Sequence, residues 1–117
     1  MDKPYSAQNP IDDFGQVFSD LKYSATVAAT TDTTLTVPGS APRYKAVIRA
    51  GADDEVWIAL NAVADVPAGG TFAADTSELI PINGTLCREV KKSDVLHFYS
   101  TAGGNVSVVF YALFTNA

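Results

Sequence analysis

The chain has one cysteine, Cys87, and one histidine, His97. A single thiol excludes an intramolecular disulfide. Small secreted domains usually depend on such staples, so the chain is expected to fold in a reducing compartment. One Cys and one His are also too few for a zinc site, which needs several such ligands. Basic residues are scarce, with eight Lys and Arg against thirteen Asp and Glu and a net charge of −5. Nucleic-acid binding without sequence preference needs a clustered basic face. The nearest approach along the chain is Arg88, Lys91 and Lys92, which is small and interrupted by Glu89. No nucleic-acid partner is expected. The longest apolar run, near VSVVFYALF, is far shorter than the ~20 residues of a membrane helix. The opening MDKPYSAQNP has no apolar signal-peptide core. The expectation is a soluble chain with no membrane partner, made in the cytosol.

A length of 117 residues fits one domain with a core that needs no staples. Residues 1–20 differ from the rest, being polar and rich in Asp, with Pro4 and Pro10. They carry a few apolar side chains: Tyr5, Ile11, Phe14, Val17 and Phe18. Phe14, Val17 and Phe18 have i, i+3, i+4 spacing, which allows one short helical turn. A frayed tail is the plain reading of such a terminus. An arm that docks on a neighbouring surface is the sharper one, with these five residues as its anchors.

From Leu21 onward the pattern is strand after strand. LKYSATVAAT is rich in Thr, Val and Ala, and TTLTV alternates. RYKAVIRA sets Tyr44, Ala46 and Ile48 on one face, with Arg43, Lys45, Val47 and Arg49 on the other. VWIALNAV sets Val56, Ile58, Leu60 and Ala62 against Trp57, Ala59 and Asn61. TFAAD and ELIPI read as short strands or edge pieces, because Pro81 cannot donate to a ladder. Asn83-Gly84 is the strongest hairpin signal in the chain, and TLCREV is expected to pair back across it. VLHFYS and NVSVVFYALF read as a second hairpin around Thr101–Asn105. About eight short strands, punctuated by Gly, Pro, Asn and Asp, predict an antiparallel β-sandwich, jelly roll or small barrel over residues 21–117.

Chemistry is thinly represented. His97 lies mid-strand with Val95 and Tyr99 on its face. A Cys87–His97 pair, or a triad of Ser93, Asp94 and His97, would need a nucleophile on a positioned loop or helix N-terminus. Cys87 lies in a strand, and no Gly-x-Ser-x-Gly elbow exists. A structural His, hydrogen-bonded at a sheet surface or at a subunit contact, is the favoured reading. Asp53-Asp54-Glu55 lacks the spacing of a calcium loop and reads as a solvated turn. Gly69-Gly70 and Gly103-Gly104 read as turn glycines. No enzyme activity, cofactor or metal is expected.

The last strand poses a different problem. Val106, Val108, Phe110, Ala112 and Phe114 share one side, while Ser107, Val109, Tyr111 and Leu113 share the other. A two-layer sandwich buries one face of each sheet and wets the other. The second side of this strand is apolar too. It could be central in a barrel or wrapped by a loop, covered by the N-terminal arm, or covered by another subunit. Covering Val109, Tyr111 and Leu113 would remove a few hundred Å² of apolar area, roughly an interaction patch. At ~25 cal/mol per Å² this amounts to several kcal/mol. Another copy of the chain is the favoured partner, with these three residues at the subunit interface.

The stretches VWIALNAVADVP and ELIPINGTLCREVKKSDVLHFYSTAGGNVSVVFYAL resemble a group of small β-sandwich virion proteins of tailed bacteriophages. The shared scheme is V-x-I-A-L-N, then L-I-P…G…R-x-V, then D-x-L-H-F, a Gly-rich turn and V-S-V-V-F-Y. Residues 56–113 carry it, residues 22–50 fit loosely and residues 1–20 carry none of it. Most similar are the capsid cement or decoration proteins: jelly-roll units, often trimeric, that clamp adjacent capsomers on the outside of the head. The resemblance implies the major capsid protein and further copies of this chain, as a trimer, for partners. It also implies location on the virion surface after synthesis in the host cytoplasm, and an arm reaching to neighbouring subunits. A tail or fibre module that binds a host glycan is the alternative, motivated by Trp57, the tyrosines and the acidic turn. Against it, the mid-strand position of Trp57 favours a core role. A cupin-like enzyme would need more histidines.

Overall fold

A computed structural model describes residues 18–51, 55–67, 69–72, 75–81 and 84–113. Among these there is no helix and there are eight strands: β1 (Leu21–Val27), β2 (Thr33–Thr36), β3 (Arg43–Ala50), β4 (Trp57–Leu60), β5 (Ser77–Leu79), β6 (Leu86–Lys91), β7 (Val95–Tyr99) and β8 (Gly104–Leu113). They form two four-stranded sheets, ordered β1-β8-β3-β6 and β2-β7-β4-β5. Every ladder is antiparallel, so the fold is an all-β sandwich. The pairings β1 with β8, β2 with β7, β3 with β6 and β4 with β5 make the chain one long hairpin, bent at β4–β5 and rolled into two layers.

The alternation predicted for β3 holds: Tyr44, Ala46 and Ile48 are fully buried while Arg43 and Arg49 are exposed. β8 contributes Val106, Val108 and Phe110 to the same layer of the core. Ile58, Leu96 and Phe98 meet them from the other sheet. Tyr44 and Phe110 pack edge to face with centroids 5.7 Å apart. The Tyr44 hydroxyl stays satisfied at the core's rim, because it accepts from the Ala41 N–H at 2.8 Å and lies 2.9 Å from Ser40 Oγ. A large aromatic can be buried at this depth because its one polar atom has partners.

Two predicted hairpins are not hairpins. Asn83 lies outside the described residues. The Gly84 N–H does donate to the Pro81 carbonyl at 3.3 Å, so a turn is there. Yet β5 and β6 belong to different sheets, and β6 pairs with β3. Ile80 explains the crossing. It is fully buried between the layers, and its N–H donates to the Val56 carbonyl at 3.0 Å. β5 is thereby bound to β4, and the chain must leave for the opposite layer. Likewise β7 lies between β2 and β4, and β8 between β1 and β3, so Thr101–Asn105 bridges the sheets. Gly103 there has φ of 92°, a left-handed conformation that suits glycine. The buried Ser100 Oγ accepts the Gly103 N–H at 3.0 Å. Residues 71, 72 and 75, expected in a strand, lie in a loop.

Candidate functional site

Strand alternation sorts the side chains of the β1-β8-β3-β6 sheet into a core face and an outer face. Register places Val109 beside Lys22 and Val47, Tyr111 beside Lys45, and Leu113 beside Arg43. The outer face therefore carries a strip of Val47, Val109, Tyr111 and Leu113, each half-buried. The three residues predicted at a subunit interface lie together on it. Around them the same registers gather Lys22, Arg43, Lys45, Arg49 and Lys91, five of the chain's eight basic residues. Glu89 is the acidic residue placed among them, and its Oε2 lies 2.7 Å from Arg43 Nη1. In a chain of net charge −5 this is a cationic face with an apolar centre. The basic cluster was not legible along the chain because its members come from three strands, β1, β3 and β6.

Phe18 is the one predicted arm anchor among the described residues; Tyr5, Ile11, Phe14 and Val17 lie outside them. Phe18 is 91% exposed, and Lys22 Nζ sits 5.3 Å from its ring centroid, within cation–π range. Just after it, Ser19 Oγ donates to the Phe110 carbonyl at 2.6 Å and accepts the Leu21 N–H at 3.0 Å. Residue 19 is thus pinned to β8, at the Leu113 end of the outer face.

The outer face of the β2-β7-β4-β5 sheet is built differently. Thr34, His97, Ala59 and Ser77 lie side by side across it. The loop after β4 lies over this face, burying Ala59 and Ala64. Asp32, in the turn before β2, fastens the loop. Its Oδ2 is 2.8 Å from His97 Nδ1, and its Oδ1 accepts the Ala64 N–H at 3.2 Å. A carboxylate only accepts, so Asp32 keeps the imidazole proton on Nδ1. The Asp65 N–H donates to Ser77 Oγ at 3.1 Å as a second fastening. His97 is therefore hydrogen-bonded at a sheet surface, as expected. Its partner was missed, because one Asp in a polar turn 65 residues away leaves no local signal.

Neither catalytic arrangement forms. Cys87 faces outward from one sheet, opposite Val47, while His97 faces outward from the other. Asp94 is engaged elsewhere: Oδ2 accepts the Lys91 N–H at 2.9 Å and Oδ1 accepts from Asn61 Nδ2 at 3.2 Å. Ser93 occupies a left-handed turn position, with φ of 72°. Among the described residues no three His, Cys, Asp or Glu converge as a metal site. Asp53 and Asp54 lie outside the described residues.

Trp57 corrects the expectation of a core role. Register sets it beside Tyr99 and Leu79 on the outer side of its sheet. It is half-buried in a cleft of about 340 Å³ with Thr71, Phe72, Asp75 and Ser77, and its Nε1–H is buried without a described acceptor. Arg88 and Glu78 close the adjoining flank of the sandwich through two bonds, 3.1 and 2.6 Å. The hydrogen-bonded Glu78 carboxylate raises the Arg88 pKa above its ordinary value. Comparison with protein-family models, curated proteins and solved structures finds no match to this chain.

Proposed function

We propose that the protein is a structural virion component that binds the outside of a bacteriophage head and bridges adjacent capsid subunits as a cement protein. The observation that carries this reading is the outer face of the β1-β8-β3-β6 sheet: a contiguous apolar strip ringed by five basic side chains. Such a face suits association by buried area at its centre and charge at its rim. The resemblance over residues 56–113 supplies the kind of assembly, and the all-β sandwich agrees with it. We read the strand order as that of a jelly roll. The partners are then the major capsid protein and two further copies of the chain. Linked contacts that are each weak gain strength within a trimer through effective concentration.

The test is co-sedimentation of the purified protein with assembled heads and with free capsid protein. Binding to heads alone, and its loss when residues 1–17 are removed, is the expected result. A truncated chain that decorates heads normally would refute the role of the arm, and absence of binding by the full chain would refute the function.

The Trp57 cleft favours a second reading, a tail or fibre module that recognises a host glycan. Phe72 is fully exposed at its mouth, and hydroxyls and a carboxylate stand beside it. A glycan array read with calcium present separates the two: an array without signal removes the second reading.

A further inference from the structure

We infer that the strip of Val47, Val109, Tyr111 and Leu113 is the docking site for residues 1–17 of a second copy of this chain, so that each copy gives an arm and receives one. The inference rests on the reading above that copies associate through this face, and it names what covers the face. Charge is the first argument. Residues 1–17 hold Asp2, Asp12 and Asp13 against a single Lys3, and the receiving face holds Lys22, Arg43, Lys45, Arg49 and Lys91 against Glu89. Opposite potentials of this kind steer encounter and set register. Apolar content is the second. Tyr5, Ile11, Phe14 and Val17 are the side chains of that segment able to fill a strip whose successive β8 members stand ~7 Å apart.

Geometry is the third argument. Ser19 is pinned to the Phe110 carbonyl, and β1 is an edge strand. The segment therefore departs from the border of the face, where a neighbouring copy would sit, rather than from its middle. Seventeen residues span up to ~60 Å when extended. That is several times the ~15 Å width of a four-stranded sheet, so an adjacent copy is within reach. Each contact joins unlike surfaces, arm to strip. Such contacts close into a ring when the rotation between copies allows it.

The single native thiol allows a direct test on the full chain, because Cys87 is exposed and lies on the receiving face opposite Val47. Full-length protein carrying a nitroxide on Cys87 is mixed with isotope-labelled full-length Cys87→Ser. Broadening of the Phe14 and Val17 amides in the labelled copy, removed when the nitroxide is reduced, is expected. Broadening only when label and isotope share one molecule would overturn the inference in favour of an arm folded onto its own sheet. No broadening in either sample would overturn it outright.

A charge swap supplies an independent readout. Asp12→Lys with Asp13→Lys, or Lys45→Glu with Arg49→Glu, should each weaken self-association roughly three- to tenfold at low salt. The two pairs combined in one chain should recover it. Unchanged association in all three proteins would overturn the arm as occupant. If the wild-type chain still formed a trimer and bound heads, the cement reading would survive that failure. A full chain that is monomeric by light scattering would overturn the inference itself, leaving head binding to be judged by sedimentation.

Discussion

The two sheets treat their outer faces in opposite ways. On the β2-β7-β4-β5 sheet, the loop after β4 lies over Ala59 and is fastened by Asp32 through His97 and the Ala64 N–H. On the β1-β8-β3-β6 sheet, the described residues supply no such loop. Its strip of Val47, Val109, Tyr111 and Leu113 is half-buried. The contrast follows from where the long connections fall. The chain between β4 and β5 runs from residue 61 to 76, long enough to fold back over its own sheet. β3 and β8, which carry the strip, are central strands whose neighbours are other strands. An apolar outer face in a sandwich thus has two solutions, a covering from the same chain or one from elsewhere; the β2-β7-β4-β5 sheet shows the first, and the second is what we propose for the strip.

That contrast can be broken from either side. The largest effect is expected from Ala64→Arg, which forces a charge beneath the loop at a position 1% exposed. It should destabilise the protein by about 2–4 kcal/mol in urea unfolding. Val109→Arg on the other sheet should leave the unfolding midpoint nearly unchanged while lowering the solution mass. If both variants lost stability equally, the two faces would not differ as described. Next comes Asp32→Ala, which removes the acceptor for both His97 and the Ala64 N–H. A loss of about 1–3 kcal/mol is expected, with faster hydrogen exchange at the Ala64 amide. His97→Ala should cost less, because the Ala64 bond remains. A double-mutant cycle on the pair measures their coupling, and a value near zero would show that the imidazole fastens nothing.

The smallest effect belongs to the flank. Arg88→Ala removes a two-pronged bond to Glu78 whose partners are about half exposed. Pairs of this kind contribute about 0.2–1 kcal/mol and weaken with salt. The raised Arg88 pKa fixes the sign of its pH dependence. A cation with a raised folded pKa stabilises fully below its unfolded pKa and loses that contribution only as pH rises through the folded value. Titration of Arg88 therefore changes nothing across the neutral range, and a variant that lost stability there only on raising pH would contradict this.

Much of the fold was legible along the chain, for a local reason. Alternation is a property of a strand by itself, so RYKAVIRA declared its buried residues Tyr44, Ala46 and Ile48 without knowledge of any partner. The apolar second side of β8 was legible for the same reason, and Val109, Tyr111 and Leu113 do lie together on an outer face. Partner choice was not legible. The turn that Gly84 closes onto Pro81 and the stretch Thr101–Asn105 each carry the chain between layers. A turn signal reports that the backbone reverses, while burial of Ile80 and the two-sided pairing of β7 and β8 decide where it goes.

By itself, then, the sequence determined an all-β chain of short strands, without a disulfide, with surplus apolar surface on its last strand and a distinct acidic N-terminal segment. These follow from composition and from period-two patterning, which need only neighbours along the chain. Only the tertiary structure decided that five basic residues from three strands converge around that surface, that Asp32 finds His97, and that Cys87 and His97 face away from one another. Those relations are set by ladder register and layer order, and a shift of register by one residue would turn each such side chain to the other face.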